Sequence, residues 1–296
     1  MKELVIMAQN VVGGLGIGSI YAMVALGYSL VYRSMGLVNF AHASIFMIGS
    51  YFGIMFYMGL MGFKLPFLAS FLIGVLMTAV LGAVLERVLR PLAHLDMMFM
   101  LLGTIGVGIM LDNLAIILWG SEGLSVPAPI PNNPVHLGGV TLMPYTLLFL
   151  VMAAVIMIGI QVFFKYTWFG RAMRAAAQDR EIAAAMGIPV NTMNALSLAL
   201  GSALAAAAGI LAAPIFYLSP TMDAAVGIKG FAAAILGGFG NVPGAVVGGL
   251  ILGIIESLSA GFISSDYQAA ISFILLTLVL LFRPAGLLGD ETIEKV

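Results

Sequence analysis

Residues 4–32 read LVIMAQNVVGGLGIGSIYAMVALGYSLVY and contain no charged side chain. A helix needs about 20 predominantly apolar residues to cross the hydrocarbon of a bilayer, so this run can span a membrane with residues to spare. The excess predicts that the start of the run lies along the membrane surface.

Further predominantly apolar runs follow along the whole chain. They cover 38–60, 65–85, 97–119, 144–164, 192–218, 228–240, 242–262 and 267–282. As a helix, 228–240 would cover only about 20 Å, so it is either a stunted span or a half-helix. We therefore predict an all-α integral membrane protein of about eight or nine transmembrane helices, some short or broken, with residues 1–296 as one transmembrane domain.

The composition excludes several functional classes. Hydrophobic residues make up 62% of the chain and charged residues 8%, with a net charge of −1 and no cysteine. A soluble domain is about 45–50% apolar and about 25% charged. The chain is therefore no soluble enzyme, nucleic-acid binder or disulfide scaffold, and thiolate catalysis and cysteine-ligated metal are excluded as well.

Basic residues predict the orientation, because cytoplasmic loops are enriched in Lys and Arg. With an external N-terminus and nine crossings, nine of the 12 basic residues fall inside. Lys2, Lys64 and Lys229 fall outside in this arrangement. The opposite orientation would reverse the count, so the side assignment is strongly favoured.

The segment 120–143 is predicted to be an external loop. It contains four prolines and no Lys or Arg, which is typical of extended, irregular chain. Two interpretations are open: a plain connector, or a docking surface for an external partner.

The segment 165–190 is predicted to be a cytoplasmic loop that carries a short helix. Asp179 suits an N-cap for a helix over 180–186, Gly187 suits the position just after the helix, and Pro189 blocks its continuation. This helix is either a bland surface helix or a contact for a partner.

Two segments share the pattern G-x-x-x-F-A-x-A. The first runs from Gly36 through Asn39, Phe40 and His42, and the second runs from Gly227 through Lys229 and Phe231; these five side chains after the glycines form the predicted translocation pathway. In the nine-crossing arrangement the two segments begin at opposite faces, which predicts an inverted repeat. Small residues at spacing four, such as Gly14, Gly18 and Ala22, indicate close helix packing.

Catalytic chemistry finds no support in the sequence. No G-x-x-x-x-G-K-[ST] phosphate loop, metalloprotease motif or nucleophile elbow occurs, so the chain has no predicted catalytic residue, metal or cofactor. Asp112 and Glu256 are the acids within predicted spans. They are too few for an ion relay, and neither has a basic partner in its own span. We expect both to be structural and uncharged, so that Asp112→Asn and Glu256→Gln preserve most uptake.

With these motifs in hand, the chain resembles the LivH-type permeases of branched-chain amino acid ABC transporters, nearly from end to end. Ala43 and Ile182 depart from residues that are usual in that family, Gly and Ala respectively. The matching blocks are GSIYAMVALGYSLVY (18–32), GLVNFAHASIFMIGSY (36–51), RVLRPL (87–92), GRAMRAAAQDREIAAAMGI (170–188), GIKGFAAAILGGFGNVPGAVVGGLILGIIE (227–256) and FRPAGLLG (282–289).

The resemblance implies a multi-pass subunit of a bacterial inner membrane that imports branched-chain or related small amino acids. It implies as partners a related second permease, two cytoplasmic ATPase subunits that use the ATP, and a periplasmic substrate-binding protein, with no nucleic acid. It implies a loop that couples to the ATPase, formed by Gly170, Arg171, Arg174, Asp179, Glu181, Ala183 and Gly187. The alternatives are a self-sufficient secondary carrier and a channel for a small solute such as urea or an amide.

Overall fold

The computed structural model describes the backbone of residues 2–60, 62–94, 96–131, 133–137 and 140–289. This part of the chain is helical apart from one small hairpin. The elements are α1 (Lys2–Met35), α2 (His42–Met58), α3 (Phe67–Leu89), α4 (Met97–Trp119), β1 (Val135–Leu137), β2 (Val140–Leu142), α5 (Pro144–Tyr166), α6 (Trp168–Gln178), α7 (Arg180–Ala185), α8 (Val190–Phe216), α9 (Met222–Gly237), α10 (Val242–Phe262) and α11 (Gln268–Phe282).

Seven helical segments of the described chain are long and apolar enough to cross a membrane. They comprise α1, α3, α4, α5, α8 and α10, together with α11 and the 3-10 turn Ser265–Tyr267 before it. Two further helices that are packed in the bundle are shorter: α2 has 17 residues and α9 has 16. At about 1.5 Å per residue neither covers the roughly 30 Å of a hydrocarbon core. The prediction of an all-α membrane protein with short helices is confirmed.

Two boundaries differ from those predicted from apolar runs. The helix predicted over 228–240 is α9, which begins six residues earlier and ends at Gly237. The run at 4–32 belongs to a single continuous helix, so the expected segment along the membrane surface does not form a separate element. An apolar run shows only where charged residues are absent from the sequence. A helix begins and ends where its backbone hydrogen bonds begin and end, so the two boundaries need not coincide.

The most extensive helix contact joins α1 to α10 through glycines. A Cβ atom built on Gly253 would lie 2.2 Å from Gly18 Cα, and one on Gly249 would lie 2.4 Å from Ala22 Cα. Both distances are far below van der Waals contact, so only glycine permits this approach. The predicted row of small residues on the first span therefore packs against glycines of α10.

Helix α8 occupies the centre of the remaining bundle and contacts α1, α2 and α3. Here too glycine allows backbones to approach: a Cβ on Gly209 would lie 2.6 Å from Phe46 O, and one on Gly82 would lie 2.8 Å from Leu198 O. Most of α8 from Gly201 to Ala213 is buried, whereas α4 and α11 expose apolar faces suited to lipid or to a partner.

The predicted external loop is more ordered than its prolines indicate. β1 and β2 form an antiparallel hairpin that pairs Val135 with Leu142. Leu124 and Leu218 exchange backbone hydrogen bonds, with N–O distances of 2.7 and 3.0 Å. The loop is thereby fixed to the connection between α8 and α9.

Replacing Gly253 by Val should destabilise the protein, because the new side chain must push α10 away from the backbone of α1. Overpacking of a tight interior costs about 1–3 kcal/mol, and a clash with backbone falls at or above the upper end of that range. Thermal unfolding in detergent, followed by size-exclusion chromatography, measures the loss. Gly159→Val is the matched control, since nothing lies within 4 Å of a Cβ at that helical position. Equal unfolding temperatures for the two variants would contradict the packing role.

Candidate translocation cavity and coupling surface

A cavity of about 460 Å³ lies where α1, α2, α4 and α9 meet. Its wall is mostly apolar and aromatic, with one hydroxyl from Tyr28, one from Ser44, and two carboxylates. The lining residues are Tyr28, Phe40, Ala43, Ser44, Ile105, Gly108, Ile109, Asp112, Asp223, Ala224, Ile228 and Phe231.

Three aromatic rings form one part of the wall. The ring of Phe231 lies 5.4 Å from that of Tyr28 and 6.0 Å from that of Phe40, measured between centroids. Phe40 is 43% exposed, so its ring faces the open space of the cavity. Two of the five residues predicted for the pathway, Phe40 and Phe231, therefore line the same cavity.

The two G-x-x-x-F-A-x-A segments contact each other directly. A Cβ on Gly227 would lie 2.3 Å from the Cβ of Ala43, so the start of α2 touches α9 more than one turn inside that helix. The segments are thus neighbours inside the bundle, as the pathway hypothesis requires. The inverted repeat itself stays a prediction.

Asn39 and His42 lie behind the cavity wall. His42 is fully buried, and its ring centroid is 4.4 Å from that of Tyr28. Asn39 accepts a hydrogen bond from the backbone N–H of Ala41 at 3.1 Å, which fixes the turn into α2. Both residues support side chains that line the cavity and do not line it themselves.

Lys229 does not lie on the external surface, although the count of basic residues on each side of the membrane placed it there. Its ammonium group pairs with the carboxylate of Glu256 on α10, and the two side chains are 20% and 0% exposed. The ring centroid of Tyr21 lies 5.7 Å from Lys229 Nζ. Because α9 begins at Met222, Lys229 lies two turns inside the helix and faces α1 and α10, away from the cavity. The prediction that Glu256 has no basic partner in its own span holds, because Lys229 lies on α9. With that partner Glu256 forms an ion pair, so it is not the lone structural hydrogen-bonding group that we expected.

Asp223 is a cavity residue that the sequence analysis missed. The predicted span started at 228, so Asp223 was left in the preceding connection. It lies in the first turn of α9, where an acid is favoured by the partial positive charge of the helix N-terminus. One signal for an earlier helix start was available in the sequence. It was Pro220, followed by Met222 two residues later and by Asp223 three residues later.

The predicted cytoplasmic loop forms two helices, α6 and α7, with Asp179 between them. As predicted, Asp179 caps α7: its Oδ1 accepts a hydrogen bond from Ile182 N at 2.9 Å. The helix ends at Ala185, one residue earlier than predicted, and Gly187 then adopts a φ of +82°. The buried Ala183 accepts the backbone bond from Ile188 N at 3.0 Å that closes this turn.

Contacts within the chain hold this unit against α5. Arg174 donates a hydrogen bond to the carbonyl oxygen of Phe164. A Cβ on Gly170 would lie 2.5 Å from the same oxygen, so α6 packs closely on the end of α5. Arg174 and Gly170 therefore position α6, while Arg171 and Glu181 extend into solvent.

Helix α7 and the residue that follows it expose two large apolar side chains beside these charges. Ile182 in α7 is 63% exposed, and Met186 just after α7 is 78% exposed. Neighbouring exposed apolar side chains that are rimmed by charges form a surface that a partner protein can cover. We define the exposed side chains Arg171, Glu181, Ile182 and Met186 as the coupling surface.

The fold is that of a multi-pass membrane protein, and one of its cavities is large enough for a small solute. Residues 10–280 match the family model described as branched-chain amino acid transport system, permease component. The chain belongs to that family of transport permeases.

Full-length relatives agree with this membership. The high-affinity branched-chain amino acid transport system permease protein BraD of Pseudomonas aeruginosa is 38% identical, and the alignment covers 100% of both chains. The permease protein LivH of Escherichia coli strain K12 is 35% identical over 100% of this chain and 99% of its own. A probable LivH of Methanocaldococcus jannaschii is 29% identical over 94% and 91%.

Replacing Lys229 by Met should destabilise the fold, because the carboxylate of Glu256 would stay buried without its partner. Breaking one half of a buried ion pair costs about 3–5 kcal/mol, whereas replacing both halves by apolar groups is often close to neutral. The double variant Lys229→Met/Glu256→Leu should therefore recover most of the lost stability. Thermal unfolding in detergent measures both effects.

Lys165→Met is the control for this comparison, since Lys165 is exposed at the end of α5. It should leave the unfolding temperature almost unchanged. A double variant that is less stable than Lys229→Met would contradict the importance of the pair.

Proposed function

We propose that this protein is a permease subunit of an ATP-driven importer in a bacterial inner membrane, and that the importer brings branched-chain or related small amino acids into the cytoplasm. The names of the full-length relatives support the substrate class. The family match over residues 10–280 supports the role of transport permease.

The coupling surface is the observation that carries the ATP-driven part of the proposal. The sequence has no phosphate-binding loop, so energy from ATP has to arrive through another subunit. The capped helix α7 offers exposed apolar side chains and charges for such a contact, on the side where basic residues accumulate. Two cytoplasmic ATPase subunits are the proposed partners at this surface.

Two further partners complete the proposed assembly. A related second permease would cover the exposed apolar face of α4, which forms one wall of the cavity. A periplasmic substrate-binding protein would deliver the amino acid at the external side, where the hairpin β1–β2 and the Leu124–Leu218 pairing give the loop a defined shape.

Reconstitution into liposomes tests the proposal against its alternatives. The permease is assembled with its partner permease, the ATPase subunits and the binding protein, and uptake of labelled L-leucine is followed. We expect uptake to require ATP on the ATPase side and to survive collapse of the proton gradient. Uptake by this chain alone that a proton uncoupler abolishes would identify a secondary carrier. Flux without any energy source would identify a channel.

Substitutions at Gly187 test the coupling surface. Val at this position must adopt a φ of +82°, which is unfavourable for a β-branched residue, whereas Asn tolerates the left-handed region. Nothing lies within 4 Å of a Cβ on Gly187, so the effect is one of backbone conformation and not of steric clash. We expect uptake to fall strongly in Gly187→Val and mildly in Gly187→Asn, with both proteins inserted in the membrane.

ATP hydrolysis by the assembled complex and pull-down of the ATPase subunits accompany the uptake assay. Gly62→Val serves as the control: Gly62 also has a positive φ, of +87°, but lies between α2 and α3, far along the chain from the coupling surface. Normal import by Gly187→Val would show that this turn does not transmit motion.

A further inference from the structure

We propose that the cavity between α1, α2, α4 and α9 binds the amino acid in transit, and that the carboxylates of Asp112 and Asp223 contact its α-ammonium group. This inference rests on the proposed function and adds to it the part of the substrate that the permease itself recognises.

The charge of the cavity wall selects a cation. Among the described residues, the charged side chains that line the cavity are Asp112 and Asp223, and no Lys or Arg lines it. Carboxylates inside a membrane protein are costly, so they face a partner, a cavity or a ligand. Two acids without a basic neighbour in the wall give the space a negative potential that an ammonium group would neutralise.

Asp112 contributes a carboxylate from α4. It lines the cavity together with Ser44 in the first turn of α2, whose hydroxyl oxygen would lie 3.3 Å from a Cβ on Gly108, one turn before Asp112. Its Oδ1 atom is buried and has no hydrogen-bond partner within the described chain. A buried carboxylate oxygen without a donor is destabilising, so hydrogen bonds within the described chain do not account for an acid at this position.

Asp223 approaches the same space from α9. It lies in the first turn of α9, next to Ala224, which also lines the cavity. Because Asp112 and Asp223 line one cavity, their charges add to the negative potential of the same space. An ammonium group bound there would be attracted by both.

The remaining wall suits an aliphatic side chain. Phe40, Phe231, Ile105, Ile109 and Ile228 present apolar surface to the cavity. Its volume of about 460 Å³ lies within the range of roughly 300–1,000 Å³ that is usual for small-molecule pockets. A few placed polar groups in an apolar pocket are the usual arrangement for orienting a small ligand.

Asp112 in this cavity should behave differently from the expectation drawn from the sequence. In isolation, an acid within a span is read as a structural hydrogen-bonding group, which Asp112→Asn would preserve. In the cavity the charge itself matters, because an amide can accept a hydrogen bond but cannot neutralise an ammonium group.

The first test compares uptake with ATP turnover in the reconstituted importer. Asp112→Asn and Asp223→Asn should each lower the rate of L-leucine uptake by at least about tenfold, the loss expected when one charge-assisted hydrogen bond of about 1.5–3 kcal/mol is removed. ATP hydrolysis stimulated by the loaded binding protein should change little, so more ATP is consumed per leucine imported. A merely structural defect would lower both rates together. Asp266→Asn is the control, an exposed acid in the turn before α11.

The second test uses the absence of cysteine from the chain. In the assembled importer, Ile228→Cys places a single thiol in the cavity wall, where a maleimide can label it. Millimolar L-leucine should slow the labelling, whereas 4-methylpentanoate, which has the same side chain and no amino group, should not. Adding Asp112→Asn to Ile228→Cys should abolish protection by leucine. Ile263→Cys, exposed after α10, is the control for general effects on reactivity.

The outcomes separate this inference from the proposed function. If the wild-type importer takes up leucine, but both Asn variants import normally and leucine and 4-methylpentanoate protect the thiol of Ile228→Cys equally, the proposed function stands and ammonium recognition by the cavity is wrong. If the wild-type importer takes up no branched-chain amino acid, both proposals fail. If Asp112→Asn or Asp223→Asn does not assemble, the comparison of leucine with 4-methylpentanoate at Ile228→Cys decides alone.

Discussion

The contact between α1 and α10 is the constraint on which the arrangement of the other helices depends. In lipid, apolar side chains gain little by leaving the solvent, so helices associate through close packing. Gly253 against Gly18 and Gly249 against Ala22 bring the two backbones together without intervening side chains. The same close approach continues to α9, where a Cβ on Gly248 would lie 2.2 Å from the carbonyl oxygen of Ala233. The short helix α9 is thereby fixed against both neighbours.

The position of α9 in turn determines the cavity. One side of the helix carries Lys229 and packs on α1 and α10 through the ion pair with Glu256. The other side carries Asp223, Ile228 and Phe231 and faces α2 and α4 across open space. The buried ion pair fixes the orientation of α9 about its own axis, because rotation of the helix would separate Lys229 from Glu256. A structural ion pair and a proposed substrate site thus share one short helix.

The coupling surface and the cavity are joined through α1. Arg180 in α7 donates a hydrogen bond to the carbonyl oxygen of Met35, at an N–O distance of 3.3 Å, where α1 ends. Two turns earlier on the same helix, Tyr28 lines the cavity. The contact of Arg174 with Phe164 fixes α6 to α5 in the same region. A displacement of α7 by a bound ATPase would therefore act on a helix that reaches the proposed substrate site without an intervening loop.

The sequence by itself determined the class of fold and the capped helix after Asp179, because apolar runs, glycine rows and helix caps are local signals. It also indicated that Phe40 and Phe231 belong together, through a repeated pattern. Only the tertiary structure decided which acids and bases face each other. Glu256 finds Lys229 on another helix, and Asp223 joins Asp112 because α9 begins six residues before its apolar run. Such pairings depend on how packed helices are rotated and offset relative to one another. Backbone contacts at glycines set this arrangement, and no single segment of the sequence encodes it.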